Sequence, residues 1–240
     1  MSLKARPKGY RFPAELMSYV IWRYHRFNGS YRDIEEDLLM RGIVLSYETI
    51  RQWSLKFGEQ FKDVIKKRFY QRGEHQDKWH LDEMVIKIKG EQFYLWRAVD
   101  SDGYELDVLL QKGRDKEAAL RFLTKLLGSY PSPRVIVTDK LKSYNKPIEE
   151  LFPKADHRKH KGLNNRAENS HQPTRRKEKC LIKFKTIHGA QHAIMLMGQT
   201  RNLFSVQVGR YKTTPATLRR KAFYQSRDFW NQTARQILCV

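Results

Sequence analysis

The stretch Trp79-His80-Leu81-Asp82-Glu83-Met84-Val85-Ile86-Lys87-Ile88-Lys89-Gly90-Glu91-Gln92-Phe93-Tyr94-Leu95-Trp96-Arg97-Ala98-Val99-Asp100 decides the fold. It holds two runs rich in Val, Ile, Leu and aromatic residues, split by Lys89-Gly90, a dipeptide suited to a tight hairpin turn. A third such run, 104–111, follows Asp102-Gly103, and the three together predict an antiparallel meander. Next comes an amphipathic pattern over about 115–127, with Ala118, Ala119, Phe122, Leu123, Leu126 and Leu127 on its apolar side. After Pro133, the run Val135-Ile136-Val137 has no alternation, as expected of a strand covered on both faces. A helix over about 141–151 and a short strand near His157 complete the order β-β-β-α-β-α-β-α.

Strands that lead into alternating helices make a mixed sheet with helices packed on it, an α/β fold. This order resembles ribonuclease-H-like folds. Outward from it, residues 1 to about 70 carry apolar side chains at helical spacing: Leu16, Val20, Ile21 and Tyr24, then Ile34, Leu38 and Leu39, then Ile50, Trp53 and Phe57. Ser30 with Asp33 three residues on, Gly42 in the break, and Ser46 before the third run mark three short helices, the last two joined as a helix-turn-helix. In that motif the second helix offers its first side chains to base edges, here Tyr47, Glu48, Thr49, Arg51 and Gln52. Residues 59–71 read as a further, linking helix, and 187–204 as a helix that covers the sheet. The expected organisation is a helix-turn-helix domain with its linking helix at 1–71, a ribonuclease-H-like domain at 72–210, and a basic, irregular tail at 211–240.

The 240 residues include 47 Lys and Arg against 26 Asp and Glu, a formal charge of +21, which points to a polyanionic partner and first of all to nucleic acid. The only cysteines, Cys180 and Cys239, form neither a disulfide framework nor a zinc spacing, as suits a reducing compartment. No apolar run is long enough for a bilayer, and the basic stretch 1–13 has no signal-type apolar core after it. The expected location is the cytoplasm, in association with the nucleoid.

Two carboxylates stand where a charge needs a reason. Asp82 lies inside the first strand, and Asp139 directly follows Thr138 at the carboxyl end of a strand, where open α/β sheets place their ligands. Taken singly, Asp82 also fits an edge-strand residue and Asp139 a turn or cap. A third acid is expected on a later helix, and Glu168 is favoured over Glu149 and Glu150, which fall on the solvated side of the 141–151 helix. Asn165 and Glu168 also fit a capping box. Converging carboxylates repel one another unless cations lie between them, and oxygen-only ligands suit Mg2+ or Mn2+. Two such ions, about 4 Å apart, stabilise the attacking and leaving oxygens of an in-line phosphoryl displacement. Arg175, seven residues after Glu168, shares its helix face if Pro173 leaves that helix unbroken, and Arg176 and Lys177 extend the basic run towards DNA. His157 and His160 lack further soft ligands at useful spacing and read as DNA-facing or structural.

Several blocks resemble the transposases of the bacterial insertion-sequence-six family, within the DDE transposase and integrase superfamily: Ser30-Tyr31-Arg32-Asp33, Thr49-Ile50-Arg51-Gln52-Trp53, Trp79-His80-Leu81-Asp82-Glu83, Tyr94 to Ser101, Thr138-Asp139-Lys140, and Asn164-Asn165-Arg166-Ala167-Glu168-Asn169 with Arg175 and Arg176 after it. The resemblance implies that Asp82, Asp139 and Glu168 are the metal-holding catalytic triad and Arg175 the basic residue that follows it. Twenty-eight residues separate Asp139 from Glu168, fewer than many family members have. The resemblance further implies binding of terminal inverted repeats, 3'-end cleavage and transfer into target DNA; because that chemistry needs two DNA ends in one complex, at least a dimer on DNA is expected. The competing readings are a non-catalytic helix-turn-helix regulator, a structure-directed nuclease of the same fold that cleaves without joining, and an inactive element copy.

Overall fold

The computed structural model describes residues 5–71, 77–139, 141–159, 164–181, 183–205 and 215–239; the side chains of Gln71, Asn165, Arg166 and Glu168 lie outside that description. Two compact units result, one of residues 1–67 with 196–240 and one of 68–195.

In the first unit, α1 (Ala14–Arg26) and α2 (Tyr31–Leu39) precede α3 (Tyr47–Gln71). Ser30 and Asp33 form a reciprocal capping box at the start of α2. The break after α2 turns at Gly42, whose φ of +73° suits a residue without a Cβ. The third helix and the linking helix expected from sequence are one continuous helix. Ile50, Trp53, Phe57, Phe61 and Ile65 form an unbroken buried stripe at helical spacing, so no change of face marks a boundary. The segment expected as an irregular basic tail is likewise helical, α8 (Ala216–Leu238), with residues 206–214 outside the description. Its last turns bury Trp230, Thr233, Ala234 and Leu238, a spacing masked in sequence by the arginines and lysine that precede it. Residues 196–204 and 215–239 therefore belong with the N-terminal helices and not, respectively, with the catalytic segment or a free tail.

The second unit is a five-stranded sheet in the order β3-β2-β1-β4-β5. Strands β1 (Lys78–Ile88), β2 (Glu91–Asp100) and β3 (Glu105–Gln111) pair antiparallel. The β1–β2 turn places both Lys89 and Gly90 at positive φ, as a two-residue hairpin loop requires. At the second turn, Asp100 accepts the backbone N–H groups of Asp102 and Tyr104. Then α4 (Lys116–Leu127), capped by Asp115, leads to β4 (Val135–Thr138), buried throughout and parallel to β1. A single 3-10 turn (Lys142–Tyr144) and α5 (Asn145–Leu151) lead to β5 (Asp156–Lys159), parallel to β4. This topology is that of the ribonuclease-H-like fold expected from sequence.

Period-two alternation divides β1 between two cores. Trp79 and Leu81 pack with Trp96, Phe122, Leu126, Ile148 and Phe152 beneath α4 and α5. Met84, Ile86 and Ile88 pack with Leu95 and Val108 against Ala190, Ala193 and Ile194 of α7 (Ile187–Phe204). On that second face, α6 (Asn165–Cys180) runs on through Pro173. No helix among the described residues is long and apolar enough to cross a membrane.

Candidate active site

The parallel ladder between β1 and β4 ends at the pair His80–Val137. Asp82 and Asp139 each lie two residues beyond that pair, so the strands part where the two acids stand. Glu83, the next residue of β1, joins them: one carboxylate oxygen from each of Asp82, Glu83 and Asp139 lies within 4.8 Å of the others. Neighbouring strand residues point to opposite faces, and Asp82 meets His171 of α6 while Glu83 meets Arg114 and Tyr144, yet an oxygen of each comes within reach of Asp139.

Each acid is held differently. Asp139 accepts the Leu141 backbone N–H at 2.9 Å, so the turn role weighed for it from sequence is present alongside its place in the cluster. Asp82 accepts from His171 Nε2 of α6 at 3.1 Å. The Glu83 side chain, only 1% exposed, takes Arg114 Nε at 2.8 Å and the Tyr144 hydroxyl at 3.2 Å. Burial pushes the Glu83 carboxyl up to about 7, the charges of Asp139 and Asp82 add to this, and Arg114 opposes it. Burial also raises the Tyr144 hydroxyl well above its ordinary range, which keeps it a donor to Glu83. Burial lowers His171, with the hydrogen bond to Asp82 acting in the opposite sense and the Arg97 charge adding to the lowering. The cluster thus brings three carboxylate oxygens within 4.8 Å of one another, the ligand type that a hard divalent cation takes.

The helix α6 is fastened to the sheet by Arg97, which pairs opposite Asp82 across β1 and β2. The Arg97 side chain is 1% exposed; it donates to the Ser170 carbonyl and, at 2.6 Å, to Thr174 Oγ1. Its Nε lies 3.1 Å from Glu105 Oε2, out of line for a hydrogen bond but close enough for an ion pair. The two bonds to α6 bracket Pro173, where the helix lacks a backbone donor.

The expected third acid, Glu168, lies on the first turn of α6, and its side chain falls outside the described residues. The helix begins at Asn165 and its cap position is Asn164, whose Nδ2 donates to the Leu81 carbonyl; the two side chains of the capping-box reading, Asn165 and Glu168, lie outside the described residues. Glu149 and Glu150 are exposed, and Glu150 pairs with Lys116. Arg175 and Arg176 are exposed, whereas Lys177 is 2% exposed and offers no surface charge to DNA. The correction for Lys177 follows from helix geometry: in a run of successive cations, one residue in each turn faces the protein. His157 lies 2.9 Å from Thr138 Oγ1 and is half-buried, while His160 and Lys140 lie outside the described residues.

At the start of α3, Arg51 and Gln52 are exposed and Tyr47, Glu48 and Thr49 half-buried. Glu48 accepts from Arg51 Nε at 2.9 Å and from Gln52 at 3.3 Å, Arg32 lies 4.3 Å over the Tyr47 ring, and Glu35 accepts the Tyr47 backbone N–H. Sequence reasoning passed over Glu83, Arg97, Arg114, Tyr144 and His171. For Arg97 a signal was present, a lone charge inside Leu95-Trp96-Arg97-Ala98-Val99.

A family model described as a DDE domain matches residues 76–207. A transposase for an insertion-sequence-like element, IS431mec, from Staphylococcus aureus is 33% identical over 171 residues, covering 68% of this chain and 73% of that protein. Among solved structures, a chain of the simian T-cell lymphotropic virus intasome in complex with PP2A regulatory subunit B56 gamma aligns with 61% of this chain and 55% of its own length, at 14% identity and a TM-score of 0.40. The HTLV-2 integrase catalytic core domain in complex with magnesium aligns with 57% of this chain and 91% of its own length, at 18% identity and a TM-score of 0.40.

Proposed function

Since the chain belongs to the DDE-domain transposases of the insertion-sequence-six family, we propose that it binds the terminal inverted repeats of an insertion sequence, cleaves their 3' ends and joins them to target DNA. The observation that carries this reading is the meeting of Asp82, Glu83 and Asp139 at the parting of β1 and β4. Asp82 and Asp139 would hold divalent metal, with Glu168 as the third ligand, from the same helix that His171 fastens to Asp82. Bound Mg2+ or Mn2+, two ions in all, would supply Lewis-acid stabilisation of the attacking and leaving oxygens. Glu83 tightens the ring of negative charge, and Arg114 and Tyr144 fix its carboxyl. Arg175 would grip a phosphate, a role that its exposure on α6 two turns beyond position 168 supports. Water as nucleophile gives end cleavage; the freed 3'-hydroxyl as nucleophile gives joining.

The helix-turn-helix would hold the ends through the first turns of α3, and joining two ends in one reaction calls for at least two copies of the chain on DNA. The test is to incubate the purified protein with a labelled terminal inverted repeat and supercoiled plasmid, with Mg2+, with Mn2+ or with chelator. Asp139→Asn and Glu168→Gln serve as comparators. Metal-dependent cleavage and joining that vanish in both variants is the expected outcome. DNA that is bound equally by all three proteins and never cut would overturn the reading in favour of a regulator or an inactive copy.

A further inference from the structure

We propose that His171 is a positioning residue that presents the Asp82 carboxylate for metal, and that Arg97 selects the imidazole tautomer that makes this possible. The inference rests on the reading of Asp82 as a metal ligand. A guanidinium has N–H donors and no acceptor, so a ring nitrogen that meets it must be the one without a proton. His171 Nδ1 faces Arg97 Nη1 at 3.4 Å. The ring proton therefore sits on Nε2, which is 3.1 Å from Asp82 Oδ2 and donates to it. One of the carboxylate's several lone-pair sites is taken by His171, and the group is held in one orientation with the others left for a cation.

The guanidinium is itself fixed. It is buried, bound to Ser170 and Thr174 on either side of His171 in sequence, and ion-paired with Glu105. Arg97 thus holds the helix segment and sets the tautomer of the imidazole that the segment carries. His171 lies one turn after position 168, so a single contact registers the strand bearing Asp82 against the helix bearing the remaining expected ligand. Hydrogen bonds behind a ligating group orient it and tune its affinity, and their loss typically weakens metal binding by about 10–100-fold.

Histidine-selective 15N labelling of the full chain, with the His171 signals assigned from a His171→Gln spectrum, reads the tautomer directly. The Nε2–H form is expected in the wild type, and a mixture of tautomers in Arg97→Met. Mn2+ affinity, followed by the electron paramagnetic resonance of the free ion, is then compared for wild type, Asp139→Asn, His171→Ala and His171→Gln. The wild type should bind and Asp139→Asn should fail. His171→Ala should bind at least about 10-fold more weakly, and His171→Gln, which retains an N–H donor, should recover most of the difference. An Nδ1–H tautomer in the wild type overturns the proposal. Wild-type affinity in His171→Ala, with binding lost in Asp139→Asn, overturns it while leaving the metal site standing. Equal losses in the Ala and Gln variants also overturn it. A wild type that binds no Mn2+ overturns the metal reading as well. Should His171→Ala fail to fold, the tautomer and the Gln variant decide.

Discussion

Trp230 stacks on Phe61, with ring centroids 4.4 Å apart and planes 20° from parallel, and its Nε1 donates to Ser18 at 2.9 Å. One indole near the end of the chain thereby joins α8 to α3 and α1 within the same unit. Trp230→Ala removes a large buried ring and leaves the Ser18 hydroxyl without this partner, which together cost about 3–5 kcal/mol. The expected result is a fall of that size in the unfolding free energy obtained from urea titration. A cost below about 1 kcal/mol would mean that α8 contributes no core.

The basic run of α6 divides between surface and interior. Arg176 is exposed and Lys177 is 2% exposed, although the two are neighbours. Arg176→Ala should weaken binding to duplex DNA of any sequence and reduce the steepness of its salt dependence by about one ion, with stability unchanged. Lys177→Ala should leave the salt slope as it is and destabilise the fold by about 1–3 kcal/mol, because it removes a buried charged donor. Binding isotherms at several salt concentrations, with a denaturation curve for each variant, check both. The opposite pattern would put Lys177 on the DNA.

Much of the sheet was legible because each signal was local. Lys89-Gly90 needs positive φ at both positions, and Val135-Ile136-Val137 needs cover on both faces; neither requirement depends on what is far away in sequence. Asp82 and Asp139 were legible for a similar reason, as charges at strand positions that burial or topology makes costly. Glu83 was not legible, since strand alternation sends it to the face opposite Asp82. Only the end of the β1–β4 ladder at His80–Val137 lets the two meet again beside Asp139. Contacts such as Arg97 with Ser170 and His171 with Asp82 span more than seventy residues and depend on the docking of α6, which no local pattern encodes. The helical character of α8 was hidden in another way. From Ala216 to Lys221 every residue is exposed, so its first turns carry no apolar stripe to read.

On the first turns of α3, Glu48 engages both Arg51 and Gln52, two of the side chains proposed to meet base edges. A carboxylate among them repels phosphate and occupies the donors that bases would use. Glu48→Gln should strengthen binding to non-specific duplex at low salt by a few fold and narrow the gap between specific and non-specific DNA. The melting temperature should stay the same, since an exposed pair on one helix contributes little to stability. Fluorescence anisotropy with an inverted-repeat duplex and a scrambled duplex reads both affinities. Unchanged affinity for each duplex would place the DNA elsewhere than on these turns.

His157 gives the fold a pH dependence whose direction follows from its surroundings. Burial, helped by the charge of Lys159 and opposed by Asp156, pushes its imidazole down to about 4, and Nε2 stays in contact with Thr138 Oγ1 at 2.9 Å. In the unfolded chain a histidine takes up its proton near 6.5. Between these values the unfolded state binds more protons than the folded one, so this contribution to stability is complete above about 6.5 and is lost as the pH falls towards 4. His157→Gln can keep a hydrogen bond to Thr138 but cannot titrate. The urea midpoint of the wild type should therefore fall further between pH 7 and pH 5 than that of the variant. Comparison of the two proteins cancels the part due to every other group, His171 among them, whose lowered value acts in the same direction. Equal falls in the two proteins would show that the imidazole takes its proton in the folded chain as readily as in the unfolded one, and that burial does not hold it neutral.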